Sequence, residues 1–431
     1  MPAPLRLGLA GLGTVGVGVV QIVQRHADLI AARAGRPVII TAVSARDRTK
    51  NRDADLSGYA WETDPVAVAS RDDVDVFIEV MGGHEGPAKA ATEAALAAGK
   101  DVVTANKALL AHHGHALALA ADSAGRVIRF EAAVAGGIPV IKALTEGLAA
   151  NRIKRVMGVM NGTCNYILTR MQNAGLPYET VFEEARQLGY LEADPNLDVG
   201  GIDAGHKLSL LSAIAFGTQV SFDHVELEGI GSVSIDDINH AAEMGYRIKL
   251  LGVAQETGRG LEQRMTPCLV PADSPLGQLQ GGTNMVVLEG DAVGQIVLRG
   301  AGAGSGPTAS AVMADVLDIA RGIRLPVFGQ PASTLRAPVP AKSATPAPYY
   351  LRMALLDKPG ALAKIATCLG EAGISIDQMR QINQPGEADD NAVVIFVTHK
   401  AAPADIAHAQ SQFAATGVLV GQAVAIRIEA V

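Results

Sequence analysis

Short apolar runs alternate with Ala-rich stretches over the first 130 residues of the chain. Apolar runs of this length favour buried strands, and the Ala-rich stretches between them favour helices. We therefore predict strands at about 5–10, 38–44, 74–80, 100–104 and 126–131. Strands separated by helices are typical of repeated βαβ units, so the expected fold class is α/β with a mostly parallel sheet.

The pattern changes beyond residue 136, where strands and helices no longer alternate regularly. The predicted helices there are 163–173, 178–188 and 201–216, and the predicted strands lie near 153–160, 247–255 and 284–299. This mixture indicates a second domain, of the α+β class.

A proline-rich stretch, PASTLRAPVPAKSATPAP at 331–348, comes next. Its five prolines and two charges resist helix and sheet, so we predict an extended linker. Residues 349–431 then follow the order strand, helix, strand, strand, helix, strand, which is that of a small ferredoxin-like domain.

One strand of this last domain is apolar on both faces, because Val393, Ile395 and Val397 alternate with Val394 and Phe396. One face would cover the helices of the same domain. The other apolar face could pair with the same face of a second copy of the chain, so we expect a homodimer or a homotetramer.

The motif GLGTVG at 11–16 directly follows the first predicted strand and opens an apolar helix. Gly11 suits the tight turn, Gly13 allows a pyrophosphate to approach the backbone, and Gly16 allows close packing of the helix. The helix N-terminus adds free N–H donors. A glycine-rich turn without a ligand is the alternative, but strand, glycines and helix come in the order that a Rossmann-type dinucleotide-binding domain requires.

The end of the second strand bears on which dinucleotide is bound. It reads Ser44-Ala45-Arg46-Asp47-Arg48-Thr49-Lys50. An acidic residue at this point bonds the ribose 2′-OH of NAD, whereas an arginine accommodates the 2′-phosphate of NADP. Three cations in five positions favour NADP, with Arg46 as the first candidate. Asp47 keeps NAD open, and a solvated surface turn is the third interpretation.

The stretch LGYLEADPNLDVGGIDAGHKLSLLSAIAFG at 188–217 concentrates acidic residues before a helix. Glu192, Asp194, Asp198 and Asp203 lie within twelve residues, and Lys207 follows Asp203 by one helical turn. A lysine beside a carboxylate on a partly apolar face is a candidate general acid or base. An ordinary helical ion pair and a metal site are the alternatives.

Other candidates follow the ends of the predicted strands, where an open parallel sheet binds its ligands. Lys107 lies after the fourth strand, and Gly83 after the third. After the fifth strand comes FEAAVAGGIP at 130–139. Glu131 and the turn carbonyls there, among them those of Val134, Gly136 and Ile138, could enclose a hard monovalent cation; a glycine turn that joins two domains is the alternative.

Composition and charge argue against several kinds of partner and location. The chain has 431 residues, 36 Lys and Arg against 44 Asp and Glu, and a net charge of −8, so we expect no nucleic-acid partner. The three cysteines lack metal or disulfide spacing, and the sequence contains neither a secretory signal nor 18 consecutive apolar residues. We therefore expect a cytoplasmic protein with no membrane contact.

Taken together, the motifs resemble those of homoserine dehydrogenase, in order, across some 330 residues. They are GLGTVG at 11–16, TANKALL at 104–110, EAAVAGGIP at 131–139, NGTCNYIL at 161–168, LGYLEADPNLDVGGIDAGHKL at 188–208 and GAGAGSGPTASAV at 300–312. The tail, with LLDKPGALAKIATCLGEAGISI at 355–376, resembles an ACT domain, a regulatory module that binds small molecules. Because no kinase-like segment precedes these motifs, the chain resembles the monofunctional kind.

The resemblance implies reversible NADPH- or NADH-dependent reduction of L-aspartate 4-semialdehyde to L-homoserine, in threonine and methionine biosynthesis. It implies that Lys207 donates the proton, that Glu192 and Asp203 hold the substrate, and that Lys107 assists both catalysis and cofactor binding. It also implies a structural sodium ion and an amino-acid effector, most plausibly threonine. The sodium ligands implied are Glu131, Val134, Gly136 and Ile138, and the residues bordering nicotinamide and phosphates are Leu12, Thr14, Val15, Gly189 and Gly304.

We accordingly expect a dinucleotide-binding domain at 1–136 that is completed by 307–330, and a substrate-binding catalytic domain at 137–306. The linker at 331–348 and an ACT regulatory domain at 349–431 would follow. Two rival functions stay open from the residues alone. An acylating semialdehyde dehydrogenase would need Cys164 as an activated nucleophile, and a non-catalytic sensor would bind dinucleotide and amino acid without turnover.

Overall fold

The computed structural model describes residues 2–192, 194–382 and 391–431. Ala193 of the acidic stretch and residues 383–390 of the predicted ACT domain lie outside these ranges. The strands are β1 (Leu5–Ala10), β2 (Val38–Ser44), β3 (Ala60–Glu62), β4 (Val76–Glu79), β5 (Asp101–Thr104), β6 (Ile128–Arg129), β7 (Ile153–Val159), β8 (Glu226–Leu227), β9 (Tyr246–Thr257), β10 (Gly260–Pro271), β11 (Thr283–Gly290), β12 (Gly294–Ala301), β13 (Tyr349–Leu356), β14 (Ile376–Ile382), β15 (Asn391–Thr398) and β16 (Leu419–Ile428).

The helices are α1 (Thr14–Arg25), α2 (Ala27–Ala34), α3 (Pro65–Ser70), α4 (Pro87–Ala97), α5 (Lys107–Ala124), α6 (Val140–Lys142), α7 (Gly162–Ala174), α8 (Tyr178–Gln187), α9 (Pro195–Val199), α10 (Ile202–Phe216), α11 (Ile235–Glu243), α12 (Ser305–Ala320), α13 (Ala361–Glu371) and α14 (Pro403–Ala415). Within the described residues, no helix is long and apolar enough to cross a lipid bilayer.

The first sheet is parallel and has the strand order β3-β2-β1-β4-β5-β6. Strand order reverses between β1 and β4, and in such sheets the crevice at this point binds the ligand. The predicted strands are present, although β6 is only two residues long because the chain turns into a 3₁₀ helix at Glu131–Ala133. The three-residue β3 at the sheet edge was not predicted, since it is too short to show a period.

Helix α12 returns from the far side of the second domain and packs on α1 of the first sheet. Gly18 permits this contact, because a Cβ at that position would lie 2.7 Å from Ser305 Oγ and 3.1 Å from Ala309 Cβ. The start of α12 is therefore held beside the start of α1, where the GLGTVG loop ends.

The second sheet runs β12-β11-β7-β9-β10 and is antiparallel, with α7 and α10 packed against it. The predicted strand region 284–299 is a hairpin of β11 and β12. Strand β10 was missed because Glu262, Gln263 and Arg264 interrupt its apolar pattern. All three are buried, and the Arg264 guanidinium is paired with Glu262 and with Glu429.

The last four strands continue this second sheet. They have the order β16-β13-β15-β14, and β16 pairs in parallel with β10 through Cys268↔Arg427 and Leu269↔Ile428. Helices α13 and α14 pack with the inward side chains of these strands in a separate apolar cluster. The observed element order is the predicted ferredoxin-like one.

The proline-rich stretch at 331–348 is extended but is not a free spacer. Leu261 N–H donates to the Val339 carbonyl at 2.8 Å, and Ala341 N–H donates to the Leu261 carbonyl at 2.8 Å. Further along, Thr345 donates to Glu262 from both its N–H and its hydroxyl, each at 2.9 Å. The stretch is thus bound along β10.

The expectation that the second apolar face of β15 pairs with another copy is wrong for this face. Ile395 and Val397 are already buried within the single chain, in an apolar cluster that also contains Ile238 of α11. On the neighbouring strand β13, Arg352 donates to the buried Asp237 of α11 at 2.5 Å. The homodimer or homotetramer stays a prediction, but the second face of β15 no longer supports it.

Candidate active site

Helix α10 carries the acid and the lysine that the spacing placed on one face. Asp203 and Lys207 are 6% and 8% exposed, since α10 is buried between α5 and the second sheet. Lys207 Nζ donates to Asp203 Oδ2 at 2.7 Å and to the Met160 carbonyl at 2.8 Å. The other carboxylate oxygen, Asp203 Oδ1, lies 2.9 Å from Lys107 Nζ. A single carboxylate therefore bridges two lysines from different domains.

The two ammonium groups keep Asp203 ionised. Burial by itself raises the pKa of Asp203, but Lys207 and Lys107 outweigh burial and hold its pKa well below the usual range. For Lys107, burial lowers the pKa and the Asp203 carboxylate raises it, with a net increase. The site therefore contains a carboxylate and a cationic Lys107 at neutral pH.

Glu192 lies on the more open side of this group. Its side chain is 47% exposed, and its Oε1 is 3.8 Å from Lys107 Nζ. Burial of the remaining part raises its pKa, and Lys107 opposes this shift. Glu192 N–H donates to Asp198 Oδ2 at 2.9 Å, so the buried Asp198 fixes the backbone that carries Glu192.

Asn161 joins these acids and was missed from the sequence. Its Nδ2 donates to Asp198 Oδ1 at 2.9 Å and to Asp203 Oδ2 at 3.2 Å, while its Oδ1 caps α7 by accepting from Cys164 N–H at 2.8 Å. The available signal was the preference for Asn just before a helix. That signal predicts a cap, and only the tertiary fold shows that the same amide orients two carboxylates.

The GLGTVG loop has the geometry that dinucleotide binding requires. Gly11 has φ +103°, and a Cβ there would lie 2.6 Å from the Val80 carbonyl oxygen. A Cβ on Gly16 would lie 1.9 Å from the Gly11 carbonyl oxygen, whereas a Cβ on Gly13 would meet nothing within 4 Å. The space beside Gly13, at the start of α1, is therefore open to a pyrophosphate. Leu12 is buried next to these glycines.

The turn after β2 is basic and organised. The Asp47 carboxylate accepts from Thr49 N–H at 2.8 Å and its hydroxyl at 2.7 Å, and the Thr49 hydroxyl lowers the pKa of Asp47. Arg52 Nε donates to the Leu12 carbonyl at 3.0 Å and so ties this turn to the GLGTVG loop. Arg46 is exposed, which leaves its guanidinium accessible to a ligand.

A cavity of about 1030 Å³ joins the GLGTVG loop to the lysine pair. The predicted residues that line it are Thr14, Val15, Gly83, Lys107, Gly136, Gly189, Glu192, Asp203, Lys207 and Gly304. Predicted residues that do not line it are Gly11, Leu12, Gly13, Gly16, Arg46, Glu131, Val134 and Ile138. The first group thus shares one crevice between the two domains, and the second lies in the surrounding loops.

The turn after β6 has the chemistry of a cation site. Glu131 is 2% exposed, and burial followed by Asp315 raises its pKa to about 7. Its carboxylate accepts from the N–H groups of Ile141 and Lys142 at 2.9 and 2.8 Å. Ala135 and Gly136 have φ of +55° and +48°, in the left-handed region. One carboxylate and neighbouring carbonyl oxygens are the donor types that suit a hard monovalent cation.

Aromatic and imidazole rings form one wall of the crevice, which the sequence did not predict. The His206 ring lies 4.2 Å from that of Phe222 and 5.5 Å from that of His112. Burial lowers the pKa of His206 to about 4, with His112 adding to the shift. His206 is therefore neutral at physiological pH.

Cys164 does not have the environment of a nucleophile. It is fully buried, and its Sγ lies 3.3 Å from the Asp198 carbonyl oxygen. Burial raises the pKa of the thiol well above its ordinary value, and Asp198 adds to the shift. The thiolate is strongly disfavoured, which argues against the acylating alternative.

Three family models match the chain. They are homoserine dehydrogenase at residues 139–317, the NAD-binding domain of homoserine dehydrogenase at 11–131, and the ACT domain at 349–417. The chain is 42% identical over 433 residues to a homoserine dehydrogenase of Pseudomonas aeruginosa, with 99% of each chain covered. It is 44% identical over 404 residues to that of Neisseria gonorrhoeae, with 92% of each chain covered.

Solved structures show the same similarity. A homoserine dehydrogenase from Thiobacillus denitrificans has a TM-score of 0.93 and 40% identity, with 99% of both chains covered. A hyperthermophilic archaeal homoserine dehydrogenase in complex with NADPH has a TM-score of 0.62 and 25% identity, over 73% of this chain and 97% of that one.

Proposed function

Since the chain belongs to the homoserine dehydrogenase family of oxidoreductases, we propose that it reduces L-aspartate 4-semialdehyde reversibly to L-homoserine with NADPH, in threonine and methionine biosynthesis. The observation that carries this proposal is the bridge of Asp203 between Lys107 and Lys207. This bridge lies in the crevice that also reaches the GLGTVG loop.

Lys207 is proposed as the proton donor. Bound along the GLGTVG loop, NADPH would supply the hydride. Reduction of an aldehyde builds negative charge on its oxygen, and an ammonium group aimed at that oxygen stabilises the charge and delivers the proton. Asp203 Oδ2 and the Met160 carbonyl fix the Lys207 amine on two sides. A third N–H is then available to the substrate.

The ammonium and carboxylate groups on the α-carbon of the amino-acid substrate need protein partners of opposite charge. Glu192 and Asp203 would hold its α-ammonium group, since both are carboxylates in the crevice. The start of α7 faces the same crevice through Gly162 and Thr163. A helix N-terminus favours anions, so we propose that these N–H groups hold the α-carboxylate, with Lys107 as a second cation.

The residues around the crevice fit NADPH. Gly13 would let the pyrophosphate approach the backbone, while Gly11 forms the tight turn and Gly16 the close packing that shape this loop. Leu12, Thr14, Val15, Gly83, Gly189 and Gly304 would border the rest of the dinucleotide. Arg46 would bind the 2′-phosphate, and the engagement of Asp47 within its own turn supports NADPH over NADH. A sodium ion held by Glu131, Val134, Gly136 and Ile138 would stabilise the turn between the domains.

We also propose amino-acid regulation through the ACT domain, with threonine as the effector, and assembly into a homodimer or homotetramer. The free, buried cysteines support a reducing, cytoplasmic location. Titration of the full-length enzyme with threonine should lower the rate of NADPH oxidation. An unchanged rate at saturating substrate and at substrate near KM would contradict this effector.

The proposed reaction is tested by Lys207→Met. Methionine has nearly the same volume as lysine but lacks the ammonium group that would donate the proton. Wild type should oxidise NADPH in the presence of aspartate 4-semialdehyde. We expect kcat of the variant to fall by about a hundredfold or more, as for loss of a general acid, while the Kd of NADPH changes little. A variant that keeps the rate of wild type would overturn the assignment of Lys207.

A further inference from the structure

Another buried lysine, Lys249 on β9, is outside the lining of the crevice. It is 3% exposed, and its Nζ donates to Asn165 Oδ1 at 2.9 Å and to the Leu279 carbonyl. Both acceptors are neutral oxygens, and Arg247 is a further cation that acts on it. Among the residues that the structure describes, no carboxylate forms an ion pair with Lys249. A buried ammonium without a counter-charge is costly, so its presence at this point requires a reason.

The contacts of Lys249 converge on the turn formed by residues 279–282. Besides the Leu279 carbonyl, this turn is held by Asn165 Nδ2, which donates to the Gly281 carbonyl at 2.7 Å. Gly281 N–H donates to Thr169 Oγ1 at 3.3 Å. Because Asn165 and Thr169 both belong to α7, Lys249 and α7 together fix the 279–282 turn.

The 279–282 turn also lies against residues at the substrate end of the crevice. Gly282 lines the cavity, and its carbonyl oxygen would lie 2.5 Å from a Cβ on Gly162, at the first residue of α7. A Cβ on Gly282 would lie 3.4 Å from Tyr190 Cε1. The turn therefore packs closely against the start of α7, and its Gly282 lies near the ring of Tyr190, the residue two positions before Glu192.

Tyr190 is itself clamped to α7. Its ring stacks on that of Tyr166 at 4.5 Å, and its carbonyl accepts from Thr163 Oγ1 at 2.9 Å. A displaced 279–282 turn would free one side of Tyr190 and shift Glu192 relative to Thr163. These two residues are the proposed partners of the α-ammonium and α-carboxylate groups of the substrate.

We propose that Lys249 is a positioning residue for the amino-acid substrate, acting through Asn165 and the 279–282 turn on Tyr190 and Glu192. The inference rests on the proposed function for the identity of the substrate. It predicts that loss of the Lys249 amine weakens substrate binding and leaves the dinucleotide loop at 11–16 intact. Burial lowers the pKa of Lys249 to about 8, which agrees with an ammonium held by neutral oxygens alone.

The test is Lys249→Met, with Lys100→Met as the matched control. Lys100 is also buried, and its Nζ donates to the Arg71 carbonyl in the first domain, away from the crevice. We expect Lys249→Met to raise KM for homoserine about tenfold, with kcat within threefold and the Kd of NADPH within twofold of wild type. Lys100→Met should lower thermal stability without changing KM for homoserine.

A second variant covers the case in which Lys249→Met fails to fold. Asn165→Asp keeps an oxygen for Lys249 and adds a counter-charge, but it removes the donor to the Gly281 carbonyl. It should also raise KM for homoserine. Unchanged KM in either folded variant, or an equal rise in Lys100→Met, would overturn the positioning role.

Hydrogen exchange separates this proposal from the reaction itself. In Lys249→Met, the amides of Tyr190 and Gly281 should exchange faster than in Lys100→Met, whatever the enzyme's substrate. If wild type does not oxidise homoserine, the proposed function fails, and the exchange rates still decide the role of Lys249. Equal exchange in the two variants would refute the inference.

Discussion

At the scale of single residues, the i,i+4 spacing predicted the Asp203–Lys207 pair but not what completes it. Two residues one helical turn apart share a face in any helix, so local geometry suffices for the pair. Lys107, Asn161 and the Met160 carbonyl come from three other segments. Their approach depends on how α5, α7 and β7 pack, which no local pattern encodes.

His206 gives a pH-dependent prediction at the same scale. Burial holds its folded-state pKa at about 4, below the ordinary histidine value of 6.5. The unfolded chain therefore binds a proton more readily between these values, and wild type loses stability as pH falls through that window.

His206→Gln lacks this titration. The difference in free energy of unfolding between wild type and the variant should shrink on going from pH 7 to pH 5, by on the order of 1–2 kcal/mol. Urea denaturation at the two pH values measures it. Between pH 7 and 8 the difference should stay constant, and a constant difference down to pH 5 would contradict a neutral, buried His206.

At the scale of elements, sequence patterns predicted the parallel sheet well because its strands are buried on both faces. Such strands are continuous apolar runs, as in β4, where the consecutive residues Phe77 and Ile78 are both fully buried. Strand β10 shows the limit of this approach. Its buried charges are satisfied by partners distant in sequence, so the pattern resembles a surface segment.

The turn after β2 gives the prediction for the cofactor. Arg46→Ala should raise KM for NADPH about tenfold and leave KM for NADH nearly unchanged, because a charge-assisted contact to the 2′-phosphate is lost only with NADPH. Arg25→Ala, at the exposed last turn of α1, is the control and should affect neither cofactor. Equal effects on both cofactors would refute a role in the choice of dinucleotide.

At the scale of the whole molecule, the division into domains is a prediction from the pattern of strands and helices and from the proline-rich stretch, and the contacts between the domains could not be predicted. The prolines at 331–348 predicted an extended stretch, whereas its hydrogen bonds to β10 require knowledge of where β10 lies. Likewise, α11 is short and polar, and its burial of Asp237 beneath β13 could not be predicted.

Removal of residues 349–431 should therefore destabilise the folded structure of the remaining chain. Arg264 is 2% exposed and would lose Glu429, which leaves a buried charge with fewer partners. We expect the truncated protein to have a lower Tm and lower activity than the full chain, in differential scanning calorimetry and in the NADPH assay. Full stability of the truncated protein would show that the two parts are energetically independent.

The sheet shared by residues 349–431 and the preceding domain also restricts how these two regions can move relative to each other. Strands β10 and β16 pair directly, and the proline stretch is bound along β10. The C-terminal domain at 349–431 is therefore not attached to the rest of the chain by a free linker. Any relative motion that preserves these hydrogen bonds must twist the common sheet about its strand axes. The effector proposed for the C-terminal domain would therefore act through this common sheet, which a freely hinged linker would not allow.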